Sequence, residues 1–543
     1  MTEQPIRRPI SRIEWLVVVA SSVTASVLAA LWSWRNHAML NYGDAVAHLH
    51  IARRVIDSHR PGLSQLGSVW LPLPHLLMIP FVAVYAWWAN GIAGLIPSAL
   101  AYLAGCAGIY RLARHWLRPN AAIVALLFFA LNPNLLYLQT TAMTEPLFLC
   151  EMVWLAVWLV EWRAALNNDP PRAARRLTLI AIVLIAAVFT RYDGWILALL
   201  AWTSIGIVQL RTSTLRSRTF WIASAAIVAA PLVWFLYNAV VFGDWLNFAR
   251  GPYSAAAIEL RTATPGSGPP HPGWHNPWVS LLFFLKCAQM DSAPESWGRT
   301  LVCLSMLGTA WAWFTSRRRA FQWTLLLWLP IPFYAYSISF GSVPVFLPVW
   351  WPHSWYNTRY GMEMLPAFAL GLAFAMQFVI AATREFKPFF IPYASAALYV
   401  IVLLDQRAVL RDHPLTYVEG VKNINSRRAF ENQIPPVLRS LLSTRPGGQV
   451  LMETSVYPNL VAFTGIPLRQ TINESDREFY SEALAAPAEH AAIVLAFDGD
   501  QIDEAVKAHP AGLRAVQRFD AVGQKSGTVY VSDTPPASKA ASQ

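Results

Sequence analysis

Long apolar runs separated by short arginine clusters constrain this chain more than any other feature of its sequence. Of its 543 residues, 55% are hydrophobic and only 13% are charged, and the mean hydropathy is +0.37. About 20 apolar residues cross a bilayer as one helix. Water-soluble proteins of this size do not carry so much apolar sequence, so the composition predicts an α-helical polytopic membrane protein.

Eleven apolar runs are predicted to be transmembrane helices. In chain order they are 13–34, 94–113, 120–137, 146–162, 177–193, 195–210, 219–241, 299–315, 321–340, 360–382 and 389–404. The first run follows Arg7, Arg8 and Arg12, as the apolar part of a signal peptide would. Its length and its terminal Trp32 and Trp34 favour an uncleaved span instead.

The basic residues support this order of spans. If the N-terminus is cytoplasmic, every predicted inside segment carries at least two basic residues, in line with the positive-inside rule. These residues are Arg7, Arg8 and Arg12; Arg111, Arg114 and Arg118; Arg163, Arg172, Arg175 and Arg176; Arg211, Arg216 and Arg218; Arg317, Arg318 and Arg319; and Arg384 and Lys387. The formal net charge of +11 therefore reflects topology and does not indicate nucleic-acid binding.

Two long loops are predicted on the outside. The first, 35–93, contains the apolar stretch 68–91, which three prolines interrupt and which would invert every later loop if it crossed the membrane. We predict that this stretch is a helix at the membrane surface, so that the loop carries two juxtamembrane helices. The second loop, 242–298, is rich in Gly and Pro and is predicted to be a mobile flap.

The composition becomes mixed and polar after residue 404. Strand-like segments at 449–455, 491–497 and 527–533 alternate with helical stretches, which predicts a small soluble α/β domain over 405–534, outside the membrane. Residues 535–543 are predicted to be a disordered tail. The four cysteines show neither a disulfide framework nor a metal-binding spacing.

The first outside loop contains the segment DAVAHLHIARRVID, which begins at Asp44 and has the periodicity of a helix. Asp44 and His48 are four residues apart, so their side chains can meet. In one interpretation Asp44 caps the helix and His48 only hydrogen-bonds to it. In the other, Asp44 carries chemistry; the two interpretations are compatible in structure and differ in function.

Further charged and aromatic residues lie on the predicted outside. They are Glu145, next to Pro146; Arg191 and Asp193 in TRYDGW; Arg359, Tyr360 and Glu363 in TRYGMEM; and Arg250 in the second loop. Each has a structural alternative: a charge at a helix start for Glu145, a local ion pair for Arg191, and snorkelling for Arg359. Because all of them face one side, they indicate a site that needs a base and anion-binding groups.

With these residues the chain resembles the GT-C superfamily of polyprenyl-phosphate-sugar glycosyltransferases. Its motifs are most similar to those of glycosyltransferase family 39, which includes protein O-mannosyltransferases and the bacterial lipid A aminoarabinose transferase. The resemblance covers roughly 13–404 and lies in GDAVAHLHIARR, WLPLPHLLMIP, TTAMTEPLF and TRYGMEMLP. It implies a GT-C-like transmembrane catalytic domain over 1–404, and inverting transfer of a sugar from a polyprenyl phosphate to an acceptor at the extracytoplasmic face.

The resemblance also implies roles for single residues. Asp44 is the expected general base, Glu145 a second catalytic carboxylate, and Arg359 the ligand of the donor phosphate. Arg250 and Arg191 are expected to bind the donor phosphate together with Arg359. His48, Tyr360 and Asp193 are expected to support these residues. Many relatives have Asp-Glu at the first motif, whereas Ala45 follows Asp44 here. No metal ligand is therefore assigned, although a divalent metal stays open as a cofactor.

The partners that the resemblance implies are a polyprenyl-phosphate sugar, membrane lipids, and a lipid, glycan or protein acceptor. It places the protein in a bacterial inner membrane, with a cytoplasmic N-terminus and an extracytoplasmic C-terminal domain. A transporter or flippase of lipid-linked sugars would also need a groove for an amphiphile, but it predicts charges near the bilayer midplane. A non-catalytic scaffold is a third alternative.

Overall fold

The structure is a computed structural model, and it describes residues 9–212, 214, 217–262, 269–315, 320–386 and 391–533. The predicted tail at 535–543 lies outside these residues. So do seven of the basic residues used to orient the spans, namely Arg7, Arg8, Arg216, Arg317, Arg318, Arg319 and Lys387.

Helices dominate the described residues. In chain order the α-helices are α1 Arg12–Arg35, α2 Gly43–Arg54, α3 Leu73–Val82, α4 Tyr85–Asn90, α5 Ile92–Ala113, α6 Pro119–Ala130, α7 Pro133–Leu138, α8 Glu145–Ala165, α9 Pro170–Thr190, α10 Asp193–Arg211, α11 Arg218–Phe242, α12 Asn247–Arg250, α13 Ala255–Thr262, α14 Pro277–Ser292, α15 Gly298–Thr315, α16 Pro330–Phe340, α17 Leu365–Phe386, α18 Ile391–Arg411, α19 Leu415–Ser443, α20 Asn459–Thr464, α21 Glu478–Ala485, α22 Pro487–His490 and α23 Gln501–Ala508. Short 3₁₀ helices include Ala38–Leu40, Leu63–Leu66, Phe321–Trp328, Thr358–Met364 and Leu468–Gln470.

Seven helical stretches in the described ranges are long and apolar enough to cross a membrane. They are α1, α5, α9, α10, α11, Phe321–Phe340 and Thr358–Ala382, and each coincides with a predicted span. The other four predicted spans contain shorter or more polar helices: α6 with α7, α8, α15 and α18. The protein is an integral membrane protein, and the prediction of a helical polytopic fold is confirmed.

The proline-interrupted stretch 68–91 forms two short helices. Helix α3 has 10 residues and α4 has 6. At about 1.5 Å per residue, neither covers the roughly 30 Å of a hydrocarbon core. This agrees with leaving the stretch out of the spans, while its position at the membrane surface stays a prediction.

The chain divides into two compact units. The first comprises Met1–Asn36, Ser68–Pro74 and Leu95–Glu419, and it contains most of the long apolar helices. The second comprises His37–Gly67, His75–Gly94 and Gly420–Gln543. Most of the predicted first outside loop therefore belongs to the same compact unit as the predicted soluble domain.

A five-stranded sheet forms the core of the second unit. Its strands are β1 Val450–Met452, β2 Thr471–Ile472, β3 Ile493–Phe497, β4 Leu513–Phe519 and β5 Gly527–Ser532, in the spatial order β2-β1-β3-β5-β4. Strands β1, β2 and β3 are parallel, and β5 pairs antiparallel with both β3 and β4. The three predicted strands correspond to β1, β3 and β5. The sequence did not indicate β2, which has two residues, or β4, whose side chains are mostly exposed.

Close contacts between helices in the first unit require small residues at two positions. A Cβ on Gly194 would lie 2.1 Å from the carbonyl oxygen of Ala187, so glycine is required where α9 turns into α10. A Cβ on Gly371 would lie 2.3 Å from the carbonyl oxygen of Ser305. Small residues let α15 and α17 approach closely in the way typical of membrane helices.

Candidate functional site

Arg191 is the centre of a buried polar network in the first unit. It follows the last residue of α9, and its guanidinium reaches three carboxylates: Glu145 Oε1 at 3.1 Å, Asp193 Oδ2 at 3.3 Å and Glu363 Oε1 at 3.1 Å. It also donates to the hydroxyl of Tyr334 at 2.8 Å. That hydroxyl in turn donates to Glu363 Oε1 at 2.6 Å, so the three residues form a closed ring of polar contacts.

Arg359 joins this network from the 3₁₀ helix Thr358–Met364. Its Nε lies 3.2 Å from Glu145 Oε1, and its Nη1 lies 3.2 Å from Glu419 Oε1. One oxygen of Glu145 therefore accepts from both arginines. Both guanidinium groups lie over the ring of Tyr360, whose centroid is 5.2 Å from the guanidinium carbon of Arg191 and 5.1 Å from that of Arg359. Cations favour the face of an aromatic ring at this distance.

The structure thus brings together five residues that the sequence singled out as site residues: Glu145, Arg191, Asp193, Arg359 and Tyr360. They come from the start of α8, the α9–α10 turn and the 3₁₀ helix before α17. Helix α8 begins at Glu145 with Pro146 in its first turn, where proline is favoured and a carboxylate meets the positive end of the helix dipole.

Two members of the network, Tyr334 and Glu419, were not predicted. Tyr334 lies inside the apolar run 321–340, and its ring stacks on those of Phe284 and Tyr360. Nothing in an apolar run distinguishes a tyrosine that hydrogen-bonds from one that only packs. Glu419 follows the last predicted span in a polar stretch, where an acidic residue carries no signal of its own.

The network contains more acid than base. It contains four buried carboxyl side chains, those of Glu145, Asp193, Glu363 and Glu419, but only two arginines. Glu145 Oε2 and Glu363 Oε2 are buried without a hydrogen-bond partner among the described residues. A phosphate that bound here would have to share each guanidinium with the carboxylates that already contact it.

A small cavity of about 10 Å³ lies beside this network, with room for about one water molecule. Its walls combine the carboxyl-bearing Asp193 and Glu363 with apolar side chains that include Phe148, Leu197 and Phe333.

Arg250 is not brought into this network. Its side chain is 61% exposed and forms a two-fold hydrogen-bonded pair with Asp244, with distances of 2.6 and 2.7 Å. Hydrogen bonds from Arg250 lower the pKa of Asp244 to about 2. The structure therefore gives Arg250 a local partner on the loop after α11, in place of the expected position beside Arg359.

Asp44 belongs to the second unit and lies in the first turn of α2. The N-cap residue of α2 is Tyr42, two positions before Asp44. The expectation that Asp44 caps the helix is therefore wrong. The Nδ1 atom of His48 lies 2.8 Å from Nε2 of His75. Burial lowers the pKa of the His75 imidazole well below its usual value, which favours the neutral form of His75.

Helix α19 holds the start of α2 within the second unit. Asn423 Oδ1 accepts from the backbone N–H of Gly43 at 2.8 Å, and Arg427 donates to the carbonyl oxygen of Asn41 at 2.9 Å. Burial lowers the pKa of Arg427, and the carboxylates of Glu431 and Asp44 oppose that shift. Arg427 is therefore electrostatically coupled to Asp44, a relation that the sequence did not reveal.

In the part of the chain that the structure describes, no group of three or more His, Cys, Asp or Glu side chains is arranged to hold a metal ion. Protein metal sites usually combine at least three such ligands. The residues of the first unit's network are instead arranged as arginine–carboxylate pairs.

No protein-family model matches the sequence, and no curated protein matches it. Solved structures do match. The structure of ArnT from Cupriavidus metallidurans bound to undecaprenyl phosphate is similar with a TM-score of 0.53 and 13% identity, over 96% of this chain and 98% of that one. Its apo structure gives a TM-score of 0.52 with 13% identity, over 93% and 97%.

A weaker likeness links the chain to the oligosaccharyltransferase of Archaeoglobus fulgidus, with a TM-score of 0.45 and 10% identity, over 93% of this chain and 72% of that one. The likeness to ArnT spans nearly the full length of both chains. The protein therefore has the same fold as ArnT.

Proposed function

We propose that this protein is a membrane glycosyltransferase that moves a sugar from a polyprenyl-phosphate donor to an acceptor at the extracytoplasmic face of a bacterial inner membrane. The observation that carries the proposal is the buried network in which Glu145 joins Arg191 and Arg359. Support also comes from a GT-C-fold neighbour that was solved with undecaprenyl phosphate bound. The proposed orientation has a cytoplasmic N-terminus and the α/β domain outside.

In the proposed reaction Asp44 is the general base, an assignment that rests on its sequence motif. It accepts the proton of an acceptor hydroxyl or amine while that atom attacks the anomeric carbon. The bond between this carbon and the phosphate oxygen breaks as the new bond forms on the opposite face. The products are the glycosylated acceptor, with inverted configuration, and polyprenyl phosphate.

The proposed role of Arg191 and Arg359 is to neutralise the leaving phosphate. Guanidinium groups bind phosphate oxygens with paired, charge-assisted hydrogen bonds. Charge that develops on the leaving oxygen is stabilised when donors are already held in place, as the carboxylates hold these two side chains. In this mechanism Glu145 orients both arginines and does not itself attack the donor.

The test uses the purified full-length protein in detergent or nanodiscs with a polyprenyl-phosphate sugar. Candidate acceptors from the lipid, glycan and protein classes are added in turn, and released polyprenyl phosphate is measured. We expect acceptor-dependent release that Asp44→Asn lowers by at least about 10²-fold, because a positioned base contributes about 10²–10⁴ in rate. Wild-type turnover in a folded Asp44→Asn variant would remove Asp44 from the mechanism.

Transport of the lipid-linked sugar would give a different result. A flippase would move the labelled donor between the leaflets of a proteoliposome without breaking the sugar–phosphate bond. Donor movement without release of polyprenyl phosphate, with every acceptor class present, would overturn the transferase proposal.

A further inference from the structure

Glu419 accepts more hydrogen bonds than any other carboxylate in the network of the first unit. It lies in the first turns of α19, and it is 4% exposed. Its Oε1 accepts from the backbone N–H of Asn357 at 2.9 Å and contacts Nη1 of Arg359 at 3.2 Å. Its Oε2 accepts from the backbone N–H of Thr358 at 2.9 Å and from the Thr358 hydroxyl at 2.5 Å.

These contacts fix the backbone that leads into Arg359. Asn357 has a φ of 55°, a left-handed conformation that L-residues seldom adopt, although asparagine tolerates it better than most. Such a conformation persists only where its surroundings impose it. The two N–H groups bound by Glu419 belong to this residue and the next one, so the carboxylate stabilises the turn.

The side chain of Arg359 is also held from two directions. Glu145 contacts its Nε, and Glu419 contacts its Nη1. A guanidinium is planar and rigid, so two contacts at different nitrogens restrict its orientation. Of these two carboxylates, only Glu419 binds both the side chain and the preceding backbone.

We propose that Glu419 is a positioning residue that orients Arg359 for the transition state of sugar transfer. This inference rests on the proposed function, because it assumes that Arg359 neutralises the leaving phosphate. Glu419 does not touch the donor in this proposal. It acts through the turn at Asn357 and through the guanidinium.

The charge of Glu419 makes the expected kinetics distinctive. A carboxylate beside Arg359 competes with a donor phosphate, so removing its charge does not weaken binding of the donor in the ground state. It does release the guanidinium from its fixed direction, which reduces stabilisation of the charge that develops in the transition state. Glu419→Gln is therefore expected to lower kcat about tenfold, with a KM for the donor no higher than that of the wild type.

The experiment compares kcat and the donor KM of full-length wild type, Glu419→Gln, Thr358→Val and Glu161→Gln, with rates expressed per folded, monodisperse protein. Thr358→Val removes only the hydroxyl bond to Glu419, and it is expected to lower kcat about threefold with an unchanged KM. If Glu419→Gln does not fold, this milder variant carries the test. Glu161 is the matched control, because it is also a buried, arginine-paired glutamate and lies at the far end of α8.

A role in folding alone would lower the yield of Glu419→Gln and leave kcat and KM per folded molecule unchanged, which would overturn the inference. A raised donor KM with an unchanged kcat would overturn it too, because Glu419 would then serve ground-state binding. These results presuppose turnover by the wild type. Absence of wild-type turnover with every acceptor class would instead overturn the proposed function, and the role of Glu419 with it.

Discussion

The two ends of helix α8 present the same pair of residue types in opposite surroundings. At its start, Glu145 contacts Arg191 and Arg359. Near its end, about 24 Å further along at 1.5 Å per residue, Glu161 contacts Arg111 at 2.6 Å and Arg176 at 2.7 Å. Both glutamates are buried and bonded to two arginines, so pairing alone does not distinguish the two ends.

The further neighbours do distinguish them. Around Glu145 the additional groups are the acids Asp193, Glu363 and Glu419. Around Glu161 they are cationic or can become so: His115 lies 3.6 Å away, and Arg172 and Arg175 interact electrostatically with Arg176. The network around Glu145 has more carboxyl groups than basic groups, and the network around Glu161 has more basic groups than carboxyl groups.

The helix dipole explains only one of these arrangements. Arginines are favoured at the C-terminal end of a helix, and they offset the unfavourable position of Glu161 there. At the N-terminal end a single Glu145 already suits the dipole, and three more buried carboxyl groups add a desolvation cost that the dipole does not require. Proteins depart from local rules of this kind mainly at functional sites, so we propose that the acid-rich end is the functional one.

The largest expected contrast is between Glu145→Gln and Glu161→Gln. Glu145→Gln should lower turnover by about 10²-fold, because both arginines lose the carboxylate that they share. Glu161→Gln should lower stability by about 3 kcal/mol, since arginines are left without their buried partner, and should keep turnover per folded molecule. Thermal unfolding in detergent and release of polyprenyl phosphate measure the two effects. A similar loss of turnover in both variants would remove the distinction.

Arg359→Lys should have the next largest effect. Lysine keeps the positive charge but lacks the planar fork that contacts Glu145 and Glu419 at separate nitrogens. We expect kcat to fall about tenfold, whereas Arg111→Lys at the other end of α8 should leave it within about twofold. Steady-state rates of both variants test this, and a wild-type kcat for Arg359→Lys would show that the fork is not used.

Tyr334→Phe should destabilise the protein by about 1–2 kcal/mol. The change removes the hydroxyl that accepts from Arg191 and donates to Glu363, and it leaves those buried groups short of a partner. Tyr399→Phe is the control, because its hydroxyl bonds a backbone carbonyl at a partly exposed position. Equal unfolding temperatures for the two variants would contradict the expectation.

Arg250→Gln should have the smallest effect. The pair with Asp244 is exposed, and exposed pairs contribute about 0–1 kcal/mol. We expect turnover and unfolding temperature to stay near the wild-type values. A loss of turnover comparable to that of Arg359→Lys would return Arg250 to the donor site that the sequence suggested.

The sequence predicted the site residues well where the membrane topology determined their position. The alternation of apolar runs and arginine clusters put Glu145, Arg191 and Arg359 on one predicted side of the membrane, and the structure joins them. The sequence was less informative about contacts that depend on three-dimensional packing. The pairing of His48 with Asp44 stays a prediction, and the sequence did not reveal that Nδ1 of His48 lies 2.8 Å from Nε2 of His75 on a different helix.

The same limit explains the residues that were missed. Tyr334 in an apolar run and Glu419 in a polar one look ordinary in sequence, because their importance comes from the arginines that fold against them. The division of the chain was equally hidden. Residues 37–67 and 75–94 share a compact unit with 420–543, although hundreds of residues separate them in sequence.

The most direct test of the acid-rich network as the donor-phosphate site is the binding of undecaprenyl phosphate to purified wild type, Arg359→Met and Arg111→Met. Each variant loses one arginine that pairs with a buried glutamate of α8. The predicted result is at least about tenfold weaker binding for Arg359→Met, and binding within about twofold of the wild type for Arg111→Met. Wild-type affinity in folded Arg359→Met, or an equal loss in both variants, would contradict the assignment of the donor phosphate to this network.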